Sequence, residues 1–207
     1  MGGGCRNIPN RETIFAGGKC DNNCFSNHGG CNASDDVITK SEPTCELMTD
    51  KHEVMLMSIE EINSEIDGLT HEGKSVFLYT PDLFSNYYLD RILHKLPNRN
   101  GNTYIAVNAG VRSLIDCGID FQILQGKGIR EVWIGVESAV SEIRDIYKKP
   151  AFTNQEVIQL TQQAKIAGLN MCWYMVDGKE DNPDTRSQAF QLIKEGNPFR
   201  VNIEQLQ

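Results

Sequence analysis

No stretch of the 207-residue sequence approaches the ~18 uncharged apolar residues needed to cross a bilayer, so no membrane-spanning segment and no membrane partner are expected. The opening Met1–Asn10 has neither an apolar signal core nor a cleavage pattern. Its Met-Gly start lacks the Ser or Thr that a myristoylation signal wants at the sixth residue, where Arg6 stands, and a cytoplasmic protein is expected. Basic residues are also short: 20 Lys and Arg face 28 Asp and Glu, a formal net charge of −8. Neutralising a run of phosphates takes a basic stripe, so nucleic acid is not an expected partner. A disulfide framework is not expected either. Seven cysteines are an odd number, and five of them (Cys5, Cys20, Cys24, Cys31 and Cys45) fall in the first 45 residues with no secretion signal ahead. Such clustering points to metal or redox chemistry.

What the sequence does have is alternation. With 40% hydrophobic residues it can bury one core, and a single domain over residues 1–207 is expected, with residues 1–12 an N-terminal extension and the polar stretch 32–51 a loop or lid. Short β-branched or aromatic runs at Thr13–Gly17, Ser75–Tyr79, Thr103–Asn108, Glu131–Glu137, Asn170–Val176 and Arg200–Gln205 predict six strands, spaced as βα units of roughly 30 residues. The helices between them have readable ends. Ser58 with Glu61 and Thr153 with Glu156 form capping boxes, Gly73 and Gly168 stop the helices that follow, and Asn182-Pro183 opens another. Leu89, Ile92, Leu93 and Leu96 make a further apolar stripe ended by Pro97, and the crossover near Ile119–Gln125 is the shortest. Six parallel units are too few for the eight-stranded barrel of about 250 residues. The predicted fold is therefore α/β, a partial (β/α)6 TIM-like barrel with a parallel sheet.

In such folds ligands lie beyond the carboxyl ends of the strands, which selects Gly18–Cys31, Thr80–Phe84, Asn108–Ala109, Glu137–Ser138 and Asp177–Gly178. Cys20, Cys24, Cys31 and His28 suit either an iron-sulfur cluster or zinc, while Cys5 and Cys45 fit no metal template. On their own, Glu137 reads as a solvated strand-end acid and Asn108 as a strand-end cap. Trp173 and Tyr174 lie on opposite strand faces, so only one can look inward, and Met171 and Met175 read as packing.

Two segments carry a resemblance. Cys20-Asp21-Asn22-Asn23-Cys24-Phe25-Ser26-Asn27 follows the first strand and is similar to the CX3CX2C loop of the radical S-adenosylmethionine (SAM) superfamily, with Asn27 where the third cysteine belongs. Val132-Trp133-Ile134-Gly135-Val136-Glu137-Ser138, continuing through Tyr147-Lys148-Lys149-Pro150 to Trp173-Tyr174-Met175-Val176-Asp177-Gly178, resembles that superfamily's fourth and fifth strands. The resemblance implies a [4Fe-4S] cluster held by Cys20, Cys24 and Cys31, with His28 or Asn27 as the other candidates for the third ligand. It implies SAM contacts from Asp82, Asn108, Gly135, Glu137, Ser138 and Tyr174. It also implies an electron donor such as flavodoxin or ferredoxin, and reductive cleavage of SAM to a 5′-deoxyadenosyl radical that acts on a substrate the sequence does not name. A large or partner-presented substrate is expected. Two alternatives stay open: a catalytically inactive barrel serving as a binding or scaffold protein, and a structural zinc protein.

Overall fold

The computed structural model describes residues 11–15, 57–80, 82–99, 101 and 103–206. Within them six strands form one sheet in chain order: β1 (Arg11–Phe15), β2 (Ser75–Tyr79), β3 (Ile105–Ala109), β4 (Ile129–Glu137), β5 (Asn170–Asp177) and β6 (Arg200–Gln205). Every neighbouring pair is parallel, and β1 and β6 remain as the two edges of an open sheet. β2 and β6 have the bounds read from the sequence, β1 and β4 begin two residues earlier, and β3 begins two residues later. The expected lid at 32–51 lies outside the described residues.

The crossovers form as their caps dictate. In α1 (Ile59–His71) the Glu61 N–H donates to Ser58 Oγ at 3.2 Å and Glu61 Oε2 accepts from the Ser58 N–H at 2.8 Å, closing the capping box. The apolar stripe then turns Ile62 and Ile66 fully inward. α6 (Asn154–Ile166) repeats the arrangement with Thr153 and Glu156, and α7 (Pro183–Gly196) starts where Asn182 Oδ1 accepts from the N–H groups of Asp184 and Thr185. Gly73 and Gly168 take left-handed φ values of 73° and 76°, which stops their helices without a Cβ penalty.

Two crossovers differ from expectation. The Leu89–Leu96 stripe does not make one helix; it divides into α2 (Asn86–Arg91) and a 3-10 turn (Leu93–Lys95). The break falls at Ile92, whose φ of −118° and ψ of −67° leave the helical run, and the far end of the segment is held by Lys127, 8% exposed, which donates from Nζ to the Leu96 carbonyl at 2.5 Å. The third crossover is two short helices, α3 (Val111–Cys117) and α4 (Phe121–Gly126), separated at Gly118 by a φ of 56°. α5 (Ser141–Ile146), between β4 and α6, had no signature in the sequence beyond the resemblance.

Sequential strand order with right-handed crossovers puts the helices on one face of the sheet and curls the other inward. Val76, Leu78, Ile105, Val107, Val132, Ile134, Met171, Trp173 and Met175 make the helix-covered face, all at most 2% exposed. Period two then assigns Phe77, Tyr79, Ala106, Asn108, Glu131, Trp133, Gly135 and Tyr174 to the concave face. Of the two aromatics in question, Trp173 faces the helices and Tyr174 faces the interior.

Candidate functional site

The concave face begins with a sealed polar floor. Glu131 has no exposure, and its two carboxylate oxygens accept from the Tyr104 hydroxyl at 2.7 Å and the Trp133 indole N–H at 2.5 Å. Asn170 Nδ2 donates to the same Tyr104 oxygen at 3.1 Å, tying β3, β4 and β5 together. A buried carboxylate is tolerable when its lone pairs are filled in this way. Above it the Trp133 and Tyr174 rings meet at 4.7 Å between centroids with 33° between their planes. Trp133 is thereby fixed at both its edge and its face.

The rim at the end of β4 carries the densest chemistry. The β4–β5 register slips between Gly135 and Glu137, and Glu137 takes a φ of 61°. A left-handed conformation in a residue with a long side chain costs roughly 1–2 kcal/mol and points to a constraint beyond packing. The side chain folds back across the strand, so that a Cβ on Gly135 would stand 2.7 Å from Glu137 Oε1. A side chain at position 135 would displace the carboxylate from this position. The same oxygen pairs with Lys149 Nζ at 2.8 Å, the two side chains being 14% and 24% exposed. A carboxylate and an ammonium thus stand side by side at the mouth of the barrel, partly withdrawn from water.

The turn behind them is held from within. Ser138, 3% exposed, accepts the Val140 N–H on its hydroxyl at 3.1 Å, and its carbonyl accepts from Arg144 Nη1 at 2.8 Å. Burial pulls the Arg144 guanidinium pKa below its ordinary value, against the pull of nearby Asp145 and Glu142.

Tyr147 extends the rim toward β5. Its hydroxyl donates to Glu180 Oε2 at 3.2 Å and lies 2.5 Å from where a Cβ on Gly178 would sit, so Gly178 makes room for the phenol. Burial, then the carboxylates of Glu180, Asp181 and Glu137, push the Tyr147 pKa from 10.0 up to about 12. Because folding raises this pKa, the neutral phenol contributes stability in full below pH 10, and that contribution falls away as pH climbs through about 12. Urea midpoints measured across this alkaline range should decline more steeply for the wild type than for Tyr147→Phe. Equal decline in both would assign the alkaline loss to other groups.

Asp82 and Asn108 fall on the same end of the sheet. Asp82 follows β2; its Oδ1 accepts the Phe84 N–H at 3.1 Å, its Oδ2 accepts the Ser113 hydroxyl, and the carboxylate packs against Gly110 beyond β3. Asn108, two residues down the ladder from the Gly135 level on the same face, has a buried Oδ1 with no hydrogen-bond partner. Thr80 Oγ1, just past β2, is orphaned likewise. Buried polar atoms are normally satisfied, so an acceptor left open on the barrel's inner face fits a ligand that brings a donor. Cys20, Cys24, Cys31, His28 and Asn27 lie outside the described residues, as do Cys5 and Cys45. Among the described residues no cluster of His, Cys, Asp or Glu is arranged to hold a metal ion, and no helix is long and apolar enough to cross a membrane. Lys149, Tyr147, Glu180 and the Glu131 floor had no assigned part in the sequence reading. The available signals were a lone acid on the inward register of an apolar strand and a lysine inside the Tyr147–Pro150 run.

Among the described residues, a sequentially ordered parallel half-barrel with polar groups at the carboxyl ends of β2 to β5 defines the class: a partial TIM-like barrel. Radical SAM enzymes share this fold. The chain superposes on the radical SAM methyltransferase TsrM from Kitasatospora setae, solved with cobalamin and a [4Fe-4S] cluster, with a TM-score of 0.57 at 12% identity over 72% of this chain and 31% of that one. It matches coproporphyrinogen III oxidase (HemN) from Escherichia coli, a radical SAM enzyme, with a TM-score of 0.54 at 14% identity over 95% of this chain and 44% of that one. The cobalamin-dependent radical SAM enzyme OxsB matches with a TM-score of 0.50 at 14% identity over 67% and 22% of the two chains. The chain therefore spans less than half the length of each of these proteins. No protein-family model and no curated protein matches the sequence.

Proposed function

We propose that this chain is a radical SAM protein, holding a [4Fe-4S] cluster through Cys20, Cys24 and Cys31 and binding SAM along the rim of its single half-barrel domain. The observation that carries the reading is the end of β4. Glu137 keeps a φ of 61° where glycine would cost less, and it sets its carboxylate beside the Lys149 ammonium at 2.8 Å. That pair is complementary to the amino and carboxylate groups of an amino acid. Glu137 takes the ammonium, Lys149 the carboxylate, and both bonds are charge-assisted. Asn108 Oδ1 accepts from a ribose hydroxyl, Tyr174 lines the inner wall, Ser138 holds the turn, and Asp82 fixes the neighbouring loop, with lone pairs left to accept a further donor.

The cluster and SAM together supply a carbon-centred radical when an electron arrives from a donor such as flavodoxin or ferredoxin. The chain's own residues orient the amino-acid end. Thiolate ligands have to stay reduced, which suits a cytoplasmic setting. The substrate is large or is presented by a partner, since the sheet is open between β1 and β6 among the described residues.

Electron paramagnetic resonance of the anaerobically reconstituted, reduced protein tests the proposal. A [4Fe-4S] signal that changes when SAM is added and is lost in Cys31→Ala is the expected result. A cluster indifferent to SAM would leave an inactive barrel, and stoichiometric zinc without a cluster would place the cysteines in a structural site.

A further inference from the structure

Arg144 is 5% exposed, yet among the described residues no carboxylate accepts from it. Its hydrogen bonds go to neutral acceptors: Nη1 donates to the Ser138 carbonyl at 2.8 Å and to Asn154 Oδ1 at 2.9 Å, and Nη2 donates to the Phe152 carbonyl at 3.0 Å. The guanidinium carbon lies 4.6 Å from the centre of the Phe152 ring. Asn154 completes the ring of contacts by donating from Nδ2 to the Ala139 carbonyl at 2.9 Å, and the Arg144 carbonyl accepts the Lys149 N–H at 3.1 Å.

A charge buried among carbonyls is an expensive way to fill space that an aliphatic side chain would fill without loss of hydration. What the arginine does that an aliphatic side chain cannot is reach two separate chain segments with one planar group. One segment, Ser138–Ala139, directly follows Glu137; the other, Phe152–Asn154, follows Lys149. From this placement we infer that Arg144 is a positioning residue, whose buried guanidinium sets the spacing of Glu137 and Lys149 without itself touching a ligand. The inference rests on the SAM-binding reading of that pair.

Hydrogen exchange on the protein without added ligand, joined to SAM equilibrium dialysis on the reconstituted protein, tests it in Arg144→Met and Arg144→Lys. The control is Thr161→Val, which breaks a buried contact to Trp173 elsewhere in the fold. In Arg144→Met, exchange over residues 137–141 and 148–153 should quicken at least tenfold while α1 and β2 stay as in the wild type. SAM affinity should fall about tenfold, the loss expected when charge-assisted bonds holding a site are removed. Arg144→Lys, which keeps the charge without the fork, should recover only part of either effect. Thr161→Val should leave both the two segments and the affinity unchanged. Exchange that rises evenly along the chain in the Arg144 variants, or that leaves the two segments untouched, would overturn the inference. Failure of the wild type to bind SAM would overturn the functional reading instead, and the exchange pattern would still decide what Arg144 does.

Discussion

Trp173→Ala is expected to be the most destabilising single change in the described core, by ~3–5 kcal/mol, which for a chain of this size corresponds to roughly 6–20 °C in Tm. The ring is wholly buried on the helix-covered face of β5. Its Nε1 donates to Thr161 Oγ1 at 3.0 Å, and that hydroxyl donates onward to the Val157 carbonyl at 2.9 Å, linking β5 to α6. On its other side the ring abuts α7, where a Cβ on Gly196 would stand 2.5 Å from Trp173 Cζ2. Gly196→Ala should therefore destabilise as well, by ~1–3 kcal/mol, through overpacking against a ring that cannot move. The sharper test is the double variant. The cavity left by the indole accepts the new methyl group, so Trp173→Ala/Gly196→Ala should be more stable than the sum of the two single losses. Urea midpoints for the four proteins give the coupling directly. Strict additivity, or a loss below ~1 kcal/mol for Trp173→Ala, would mean that the two helices do not close on this ring as described.

This contact also shows where sequence reading runs out. Capping boxes at Ser58 and Thr153 and the Asn182 cap were legible because each is a bond between a side chain and backbone three residues or fewer away. The six strands were legible for a similar reason, as runs of β-branched and aromatic residues bounded by helix signals. Period two established that Trp173 and Tyr174 face opposite ways, but which way depends on Gly196, on a different element, leaving a flat place for the indole. The same holds for the rim. Glu137 was visible as the acid of a Gly-x-Glu-Ser turn, whereas its partner Lys149 lies beyond α5, and nothing local in the sequence says that the chain returns there. Glu131 would read as an ordinary strand-start acid until β3 and β5 bring Tyr104 and Asn170 to it. The far end of the Leu89–Leu96 stripe is held by Lys127, again from another element. Local bonds write themselves into the sequence; pairs closed by tertiary packing do not.

The second large effect is expected at Glu137, where fold and function pull in opposite directions. If the residue were a strand-end acid with only a structural part, Glu137→Gly would lose the ion pair to Lys149, and whatever that pair does in the rim would show as lost stability. Glycine, however, adopts a φ of 61° freely, and relief of the left-handed conformation returns roughly 1–2 kcal/mol. A pair with side chains 14% and 24% exposed contributes on a similar scale, of order 1 kcal/mol after screening by solvent. The two terms nearly offset, so the stability of Glu137→Gly should lie within ~1 kcal/mol of the wild type. The proposed SAM binding has no such compensation. Loss of a charge-assisted bond to the ligand ammonium removes ~1.5–3 kcal/mol, a weakening of roughly 10- to 150-fold in Kd. Glu137→Gln keeps the shape and loses the charge, and should weaken binding on the same scale while retaining the backbone strain. Equilibrium dialysis beside urea denaturation separates the two roles. Unchanged SAM affinity in a destabilised Glu137→Gly protein would return Glu137 to the fold, and would leave the Lys149 ammonium as a structural counter-charge.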